Sequence, residues 1–284
     1  MTAHPLERPA LLNARRILAG GQTAASEAVL REALAQEPNL PRVSLALARL
    51  RWPGPDYRYW LAWLHQTLQP ACYLEIGVEK GGSLALAQLT TRVIGVDPSP
   101  VGDPLAGCAS TARLYRQTSG EFLASPPHDS GLRDNGFNLA FVDGDHRFEG
   151  VLDDFIGLQA WAAPGALVVM HDTLPLSELT ATQERQTGFY SGDGYKLVPC
   201  LHALLPKLRI VTLPIAPTGL TLITGLDPQS RVLTHKRQDI LDSYARLNPA
   251  RVVERPGLVM GPLGRNDRAW VQAWLRDAGV QSRS

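Results

Sequence analysis

The chain has 284 residues, 44% of them hydrophobic, which is enough for one sizeable core plus an appendage but short for two full enzyme domains. Lys and Arg number 28 against 27 Asp and Glu, so no bulk field draws the protein to nucleic acid or an acidic membrane. Cys72, Cys108 and Cys200 are scattered without a C-x-x-C pair. That is neither a disulfide framework nor a zinc site, and it fits a reducing compartment.

Residues 1–12 carry Pro5, Glu7, Arg8 and Pro9 where a signal peptide needs an unbroken apolar stretch. No segment approaches the roughly 20 apolar residues of a membrane span, and a soluble, cytoplasmic protein is expected. Residues 11–19, 24–35 and 43–50 read as three helices, separated by Gly20-Gly21 and by Pro38 and Pro41, with Thr23 as an N-cap. Leu30, Ala33 and Leu34 before Pro38 resemble the second helix of a single tetratricopeptide-like unit. One unit cannot bury its own apolar face, so it should pack on the main domain or on a second subunit, and a dimer is expected. The aromatic cluster Trp52, Tyr57, Tyr59, Trp60 and Trp63 follows. Arginine-interleaved aromatics can stack on nucleobases, but the neutral charge favours packing of the N-terminal helices on a sheet.

From Cys72 onward, short β-branched runs alternate with helical stretches. Strands are expected at 72–76, 92–96, 113–116, 137–142 and 166–170. Phe148, Val151, Leu152, Phe155, Leu158 and Trp161 recur at helical spacing before the last of these. The pattern implies a parallel sheet covered on both faces. Runs at 209–213 and 220–223, parted by residues 214–219, suit a closing antiparallel pair and bring the total to seven strands. The tail after Asp227 reads as helical, with a loop at 257–264 and a final helix at 267–278.

The first strand runs into Glu75-Ile76-Gly77-Val78-Glu79-Lys80-Gly81-Gly82-Ser83 and then an expected helix at 84–88. Ligands of open α/β sheets bind at such crevices, beyond the carboxyl ends of the strands. Gly77 permits a sharp turn, and Gly81-Gly82 lets a ligand lie against bare backbone. The next strand ends in Asp97, about 20 residues after the first glycine, where an acid can accept both hydroxyls of a ribose. A dinucleotide fingerprint would read G-x-G-x-x-G. Here the turn is G-x-x-x-G-G behind Glu75, a carboxylate that repels a pyrophosphate and suits a cationic, amine-bearing ligand. The motif resembles motif I of class I methyltransferases, in the version of the macrocin O-methyltransferase-like and catechol O-methyltransferase-like groups.

That resemblance covers residues 73–223. It implies a Rossmann-like α/β fold, with a seven-stranded, mostly parallel sheet closed by an antiparallel strand, and S-adenosylmethionine as cofactor. Glu75, Gly77, Gly81 and Ser83 would line the methionine end, Asp97 would hold the ribose, and Gln117 to Ser119 would lie near the adenine. The fourth strand ends in Asp143-Gly144-Asp145-His146 and the fifth in His171-Asp172, so these side chains should meet at one rim. Asp143, Asp172 and His171 are candidate metal ligands, and Asp143 and His146 candidate catalytic groups, with His146 as general base. A divalent ion would lower the pKa of a substrate hydroxyl. The family has two adjacent acids where this chain has His171-Asp172, and magnesium prefers oxygen, so manganese or a metal-free reaction stands beside it. Asp145 is either a further oxygen ligand or the N-cap of the next helix, and Asp153 and Asp154 read as that helix's solvated face.

Residues 173–195 form a long polar stretch, read either as a lid whose Phe189, Tyr190, Gly192, Asp193 and Tyr195 border an acceptor pocket or as a surface excursion. The expected organisation is an N-terminal helical appendage at 1–68, a methyltransferase domain at 69–226 and a helical extension at 227–284. The expected function is methylation of a hydroxyl on a sugar, glycan or secondary metabolite. Alternatives are metal-independent O- or N-methylation, a non-catalytic S-adenosylmethionine-binding interaction module, and a metallohydrolase.

Overall fold

A computed structural model describes residues 4–109 and 111–280. Helices α1 (Glu7–Ala19), α2 (Thr23–Gln36), α3 (Pro41–Arg51) and α4 (Tyr57–Leu68) precede strand β1 (Cys72–Ile76). Thr23 is not the cap expected of it. Left-handed Gly21 turns the chain one residue earlier, so Thr23 is already the first residue of α2 and Gln22 precedes it without a side-chain bond. Pro41 opens α3, a position where its missing N–H costs nothing.

The remaining strands are β2 (Arg92–Val96), β3 (Ala112–Tyr115), β4 (Phe137–Val142), β5 (Ala162–His171), β6 (Arg209–Leu213) and β7 (Leu220–Thr224). They form one sheet in the order β3-β2-β1-β4-β5-β7-β6. Strand β7 alone runs antiparallel, inserted between β5 and β6. This is the seven-stranded, mostly parallel sheet expected from the alternation, and the Rossmann-like fold that the resemblance implied.

Side chains of successive strand residues alternate between two cores. Leu74, Ile76, Ala140, Val142, Val168 and Met170 share one core with Phe148, Leu152 and Phe155 of α7 (Phe148–Ala160). The short helices α5 (Ser119–Ala124) and α6 (Leu132–Asn135) lie before α7, and α8 (Leu197–Leu204) follows β5. On the opposite face Tyr73, Leu139, Phe141, Leu167 and Val169 pack against Trp60, Trp63 and Leu64 of α4. Of the aromatic cluster, Trp60 and Trp63 are packing on this face, Trp52 joins a third core, and Tyr59 is exposed.

The helix expected after the glycine turn is reduced to one 3-10 turn, Leu84–Leu86. Few residues separate that turn from β2, and α4 already covers this face. Beyond β7 come α9 (Val232–His235), α10 (Arg237–Tyr244), α11 (Pro249–Glu254), α12 (Pro256–Val259) and α13 (Arg268–Asp277). Helix α12 occupies part of the loop expected at 257–264. The third core joins Leu30, Leu40, Val43 and Leu47 of the N-terminal helices to Leu174, Leu176 and Ala181, and to Val252 and Met260.

Candidate active site

The register of the sheet builds the site. Ile76 pairs with Val96 on one side and Val142 on the other, and Val142 pairs with Met170. The next residues, Gly77, Asp97, Asp143 and His171, therefore emerge side by side at the carboxyl rim. They border a cleft of about 910 Å³.

Gly77 and Gly81 both have positive φ, +84° and +76°. A Cβ on Gly77 would overlap the Asp143 carbonyl, and one on Gly81 the Pro104 carbonyl. These two positions require glycine on steric grounds. Asp97 closes the turn from β2: its Oδ2 accepts the Val78 and Glu79 N–H groups at 2.9 and 2.8 Å, and its Oδ1 accepts Ser99 N–H at 2.7 Å. Asp97 still lines the cleft.

Glu75 lies one layer below the position expected of it. It is 0% exposed, and its carboxylate accepts the Tyr73 and Ser83 hydroxyls, each at 2.6 Å. Burial pushes its pKa up to about 8 against the opposing pull of those two hydroxyls. Ser83 reaches the cleft, and Glu75 acts on the cleft through it. Thr118 and Ser119 border the cleft, while Gln117 is not among its lining residues. Thr118 caps α5 in a capping box with Glu121, a T-x-x-E signal legible in the sequence.

At the other end of the cleft, two histidines and two aspartates interlock. His146 Nδ1 lies 2.8 Å from Asp172 Oδ2, and His171 Nδ1 lies 3.0 Å from Asp143 Oδ1 and 3.4 Å from Asp172 Oδ1. Thr218, just before β7, donates its hydroxyl to Asp172. Asp172 holds a left-handed backbone, φ +57°, which turns the chain sharply out of β5. For His171, burial lowers the pKa, but Asp143 and Asp172 outweigh it and push the value up to about 9. His171 is thus an imidazolium between two carboxylates at neutral pH. For His146, burial again opposes, and Asp172 raises the pKa above its ordinary value. Asp172 itself is lowered: burial pushes it up, and the His171 and His146 charges pull it down further.

Asp143, His146 and Asp172 each offer a ligand atom within 4.8 Å of the others. The expected trio had His171 in place of His146. His171 is instead turned to Asp143 and packs its ring 4.3 Å from that of Tyr57. Asp145 is neither a ligand in this group nor the cap of α7, because its carboxylate is paired with Arg147. The capping oxygen comes from Asp193, which accepts Phe148 N–H at 2.7 Å.

Residues 74–173, about a third of the chain, match a family model described as a methyltransferase domain. The chain carries a methyltransferase domain.

No curated protein matches the chain. Among solved structures it is similar to an O-methyltransferase from Bacillus cereus in complex with SAH, at 15% identity and TM-score 0.48, covering 64% of this chain and 87% of that one. It is also similar to the O-methyltransferase TomG from Streptomyces achromogenes, involved in tomaymycin synthesis and in complex with SAM, at 18% identity and TM-score 0.45, covering 59% and 78%. A third is the SAH-bound Podospora anserina methyltransferase PaMTH1, at 16% identity and TM-score 0.44, covering 63% and 85%.

The cleft of the methyltransferase domain is completed from outside the matched segment. Tyr57 and Arg58, from the first turn of α4, line it, and Arg58 Nη2 donates to the Gly82 carbonyl at 3.0 Å. The signal that places them is Asp56, which caps α4 by accepting the Arg58 and Tyr59 N–H groups. From the 173–195 segment Arg185, Phe189 and Tyr190 border the cleft, but Gly192, Asp193 and Tyr195 do not. Gly192 packs against His146, Asp193 bonds the Phe148 N–H, and Tyr195 is buried in the third core. The sequence reading of Asp154 as solvated also fails: it is 3% exposed, and burial pushes it up to about 6 despite an opposing bond from Ser119. Asp153 does face solvent, paired with Arg237 at 2.6 Å.

Among the described residues no helix is long and apolar enough to cross a membrane.

Proposed function

We propose that the protein transfers a methyl group from S-adenosylmethionine to a hydroxyl of a small-molecule acceptor such as a sugar, glycan or secondary metabolite. The observation that carries this reading is the Asp172–His146 contact of 2.8 Å at the edge of the glycine-turn cleft. The turn suits the methionine end of the cofactor: Ser83 presents a hydroxyl at the cleft wall, backed by the buried carboxyl of Glu75. Asp97 retains one lone-pair direction on Oδ1 for a ribose hydroxyl. Gly77, Gly82 and Ser119, which line the cleft, complete the cofactor side, and Gly81 shapes the turn beneath them.

S-adenosylmethionine supplies an electrophilic methyl group when bound. Asp172 holds the His146 ring through Nδ1, which leaves Nε2 as the nitrogen that takes the acceptor's hydroxyl proton. Nε2 would take that proton as the acceptor oxygen receives the methyl group, and Asp172 would hold the resulting imidazolium. Arg185, Phe189 and Tyr190 border the acceptor side.

A second reading is favoured by the three ligand atoms within 4.8 Å of one another. Asp143, His146 and Asp172 would then hold a divalent ion such as magnesium or manganese, which would acidify the acceptor hydroxyl. His171, as an imidazolium beside Asp143, competes with such an ion for the same carboxylates.

Calorimetry with S-adenosylmethionine tests the first claim; no binding at millimolar ligand would end it. With an acceptor identified by screening, His146→Ala is expected to lower kcat by about 10²–10⁴-fold, the usual contribution of a general base. Full activity in that variant would remove His146 from the chemistry. Dialysis against a chelator decides between the two readings: retained activity supports the base alone, and loss restored by manganese or magnesium supports the ion. A cytoplasmic site of action is part of the same proposal, supported by three unpaired thiols.

A further inference from the structure

His146 is gripped from behind by the segment 191–196. Gly194 N–H donates to the His146 carbonyl at 3.0 Å, and Gly192 packs so closely that a Cβ there would overlap the same carbonyl. Two residues on, the Phe148 N–H donates to Asp193 Oδ1 at 2.7 Å. The other oxygen of Asp193 accepts Lys196 Nζ at 2.8 Å, and that ammonium also donates to the Ala245 carbonyl at 3.0 Å, at the end of α10. Asp193 and Lys196 are 6% and 7% exposed. The segment is anchored in turn by Thr180, whose carbonyl accepts Ser191 N–H, Ser191 Oγ and Gly192 N–H.

We propose that Asp193, locked by Lys196, is a positioning residue for His146. The proposal rests on the reading of His146 as the base. Asp172 fixes one edge of the imidazole but not its backbone, and the loop 143–147 is tied to the frame at its two ends, by Asp143 N–H to the Ile76 carbonyl and Val151 N–H to the Arg147 carbonyl. The Asp193 carboxylate ties the residue two positions beyond His146 to a buried ion pair, and Gly194 ties the His146 carbonyl itself. A buried, fully bonded ion pair has one permitted geometry, because any displacement strands a charge away from water. It therefore transmits the position of α10 and of the 173–195 segment to the base. Displacing a catalytic group by about 1 Å can cost about 10²-fold in rate.

The test is Asp193→Ala, with the double variant Asp193→Ala/Lys196→Met beside it. The double variant leaves no unpaired buried charge and so retains the fold, yet still lacks an acceptor for the Phe148 N–H. Both are expected to lose about 10–100-fold in kcat while KM for S-adenosylmethionine stays within about twofold. The ring resonances of His146, assigned by their loss in His146→Ala, are expected to shift or broaden in the same variants without any ligand. Asp193→Asn keeps an oxygen for the Phe148 N–H and is expected to recover most of kcat. Wild-type kcat with an unmoved ring signal would overturn the proposal. So would a fall in kcat matched by an equal loss of cofactor affinity with the ring signal unchanged. If His146 is not the base, His146→Ala stays active while the Asp193 variants still move the ring signal, so the two failures are separable.

Discussion

Glu75 sits where a carboxylate is hardest to keep ionised, with no exposure and two hydroxyls as its partners. Its pKa is about 8 in the fold against an ordinary 4.5. The unfolded chain therefore ionises first. The fold is favoured in full below about pH 4.5, loses that advantage as pH rises toward 8, and changes no further above it. Glu75→Gln has no proton to lose. Its Tm without cofactor, relative to wild type, is expected to climb by several degrees between pH 5 and 8. A difference that stays flat with pH would contradict the burial argument. At Gly77 the constraint is steric. Gly77→Ala combines a left-handed φ with overlap on the Asp143 carbonyl, and strain of about 1–3 kcal/mol is expected, read as a lower denaturant midpoint. Both residues were legible as a turn and its acid. That Glu75 lies beneath Ser83 was not, because depth along a strand end depends on what covers it.

At the scale of elements, α4 does two jobs. Its inner face fills the core with Trp60, Trp63 and Leu64, and its first turn delivers Tyr57 and Arg58 to the cleft. Asp56 sets that first turn by capping it. Removing the cap with Asp56→Ala is expected to cost about 1 kcal/mol and to raise KM for S-adenosylmethionine severalfold, since Arg58 bonds the Gly82 carbonyl. Unchanged KM alongside a lowered Tm would separate the helix's structural role from its place in the site. Helix α7 shows the opposite dependence. Its natural cap by sequence was Asp145, but Asp145 turns to Arg147 and the bond is made by Asp193, 45 residues away. Local propensity places an acid near a helix start. Which acid serves is decided by the loop that packs there.

Across the whole molecule, the N-terminal helices, the 173–195 segment and the C-terminal helices share one core, to which Leu40 and Leu30 each contribute a side chain 1% exposed. Gly188 N–H donates to Asn39 Oδ1 at 2.7 Å, and Arg51 Nη1 donates to the Leu176 carbonyl at 3.2 Å. The helical unit thus rests on the segment that borders the acceptor side. Leu40→Ala is expected to cost about 2–5 kcal/mol, and to speed proteolysis within residues 177–190 more than elsewhere. Uniform protease sensitivity would mean that the unit stabilises the chain without bracing that segment.

The sequence by itself determined the seven strands, the glycine turn with its following acid, and the set of acids and histidines at the rim. These are matters of hydrophobic period and of residues with few conformational substitutes, and such signals are local. Only the tertiary structure decided the partnerships. Asp143, His146 and Asp172 bring ligand atoms within 4.8 Å of one another, while the register of β4 against β5 sets His171 between the same two carboxylates and against the ring of Tyr57. Asp154 is buried and Asp193 caps a distant helix, because burial depends on what packs against a face. The short connection after the glycine turn became a single 3-10 turn because α4 had taken its place on the sheet. Strand ends could be read from the chain, but which side chains meet across them is settled by register and by the helices laid over them.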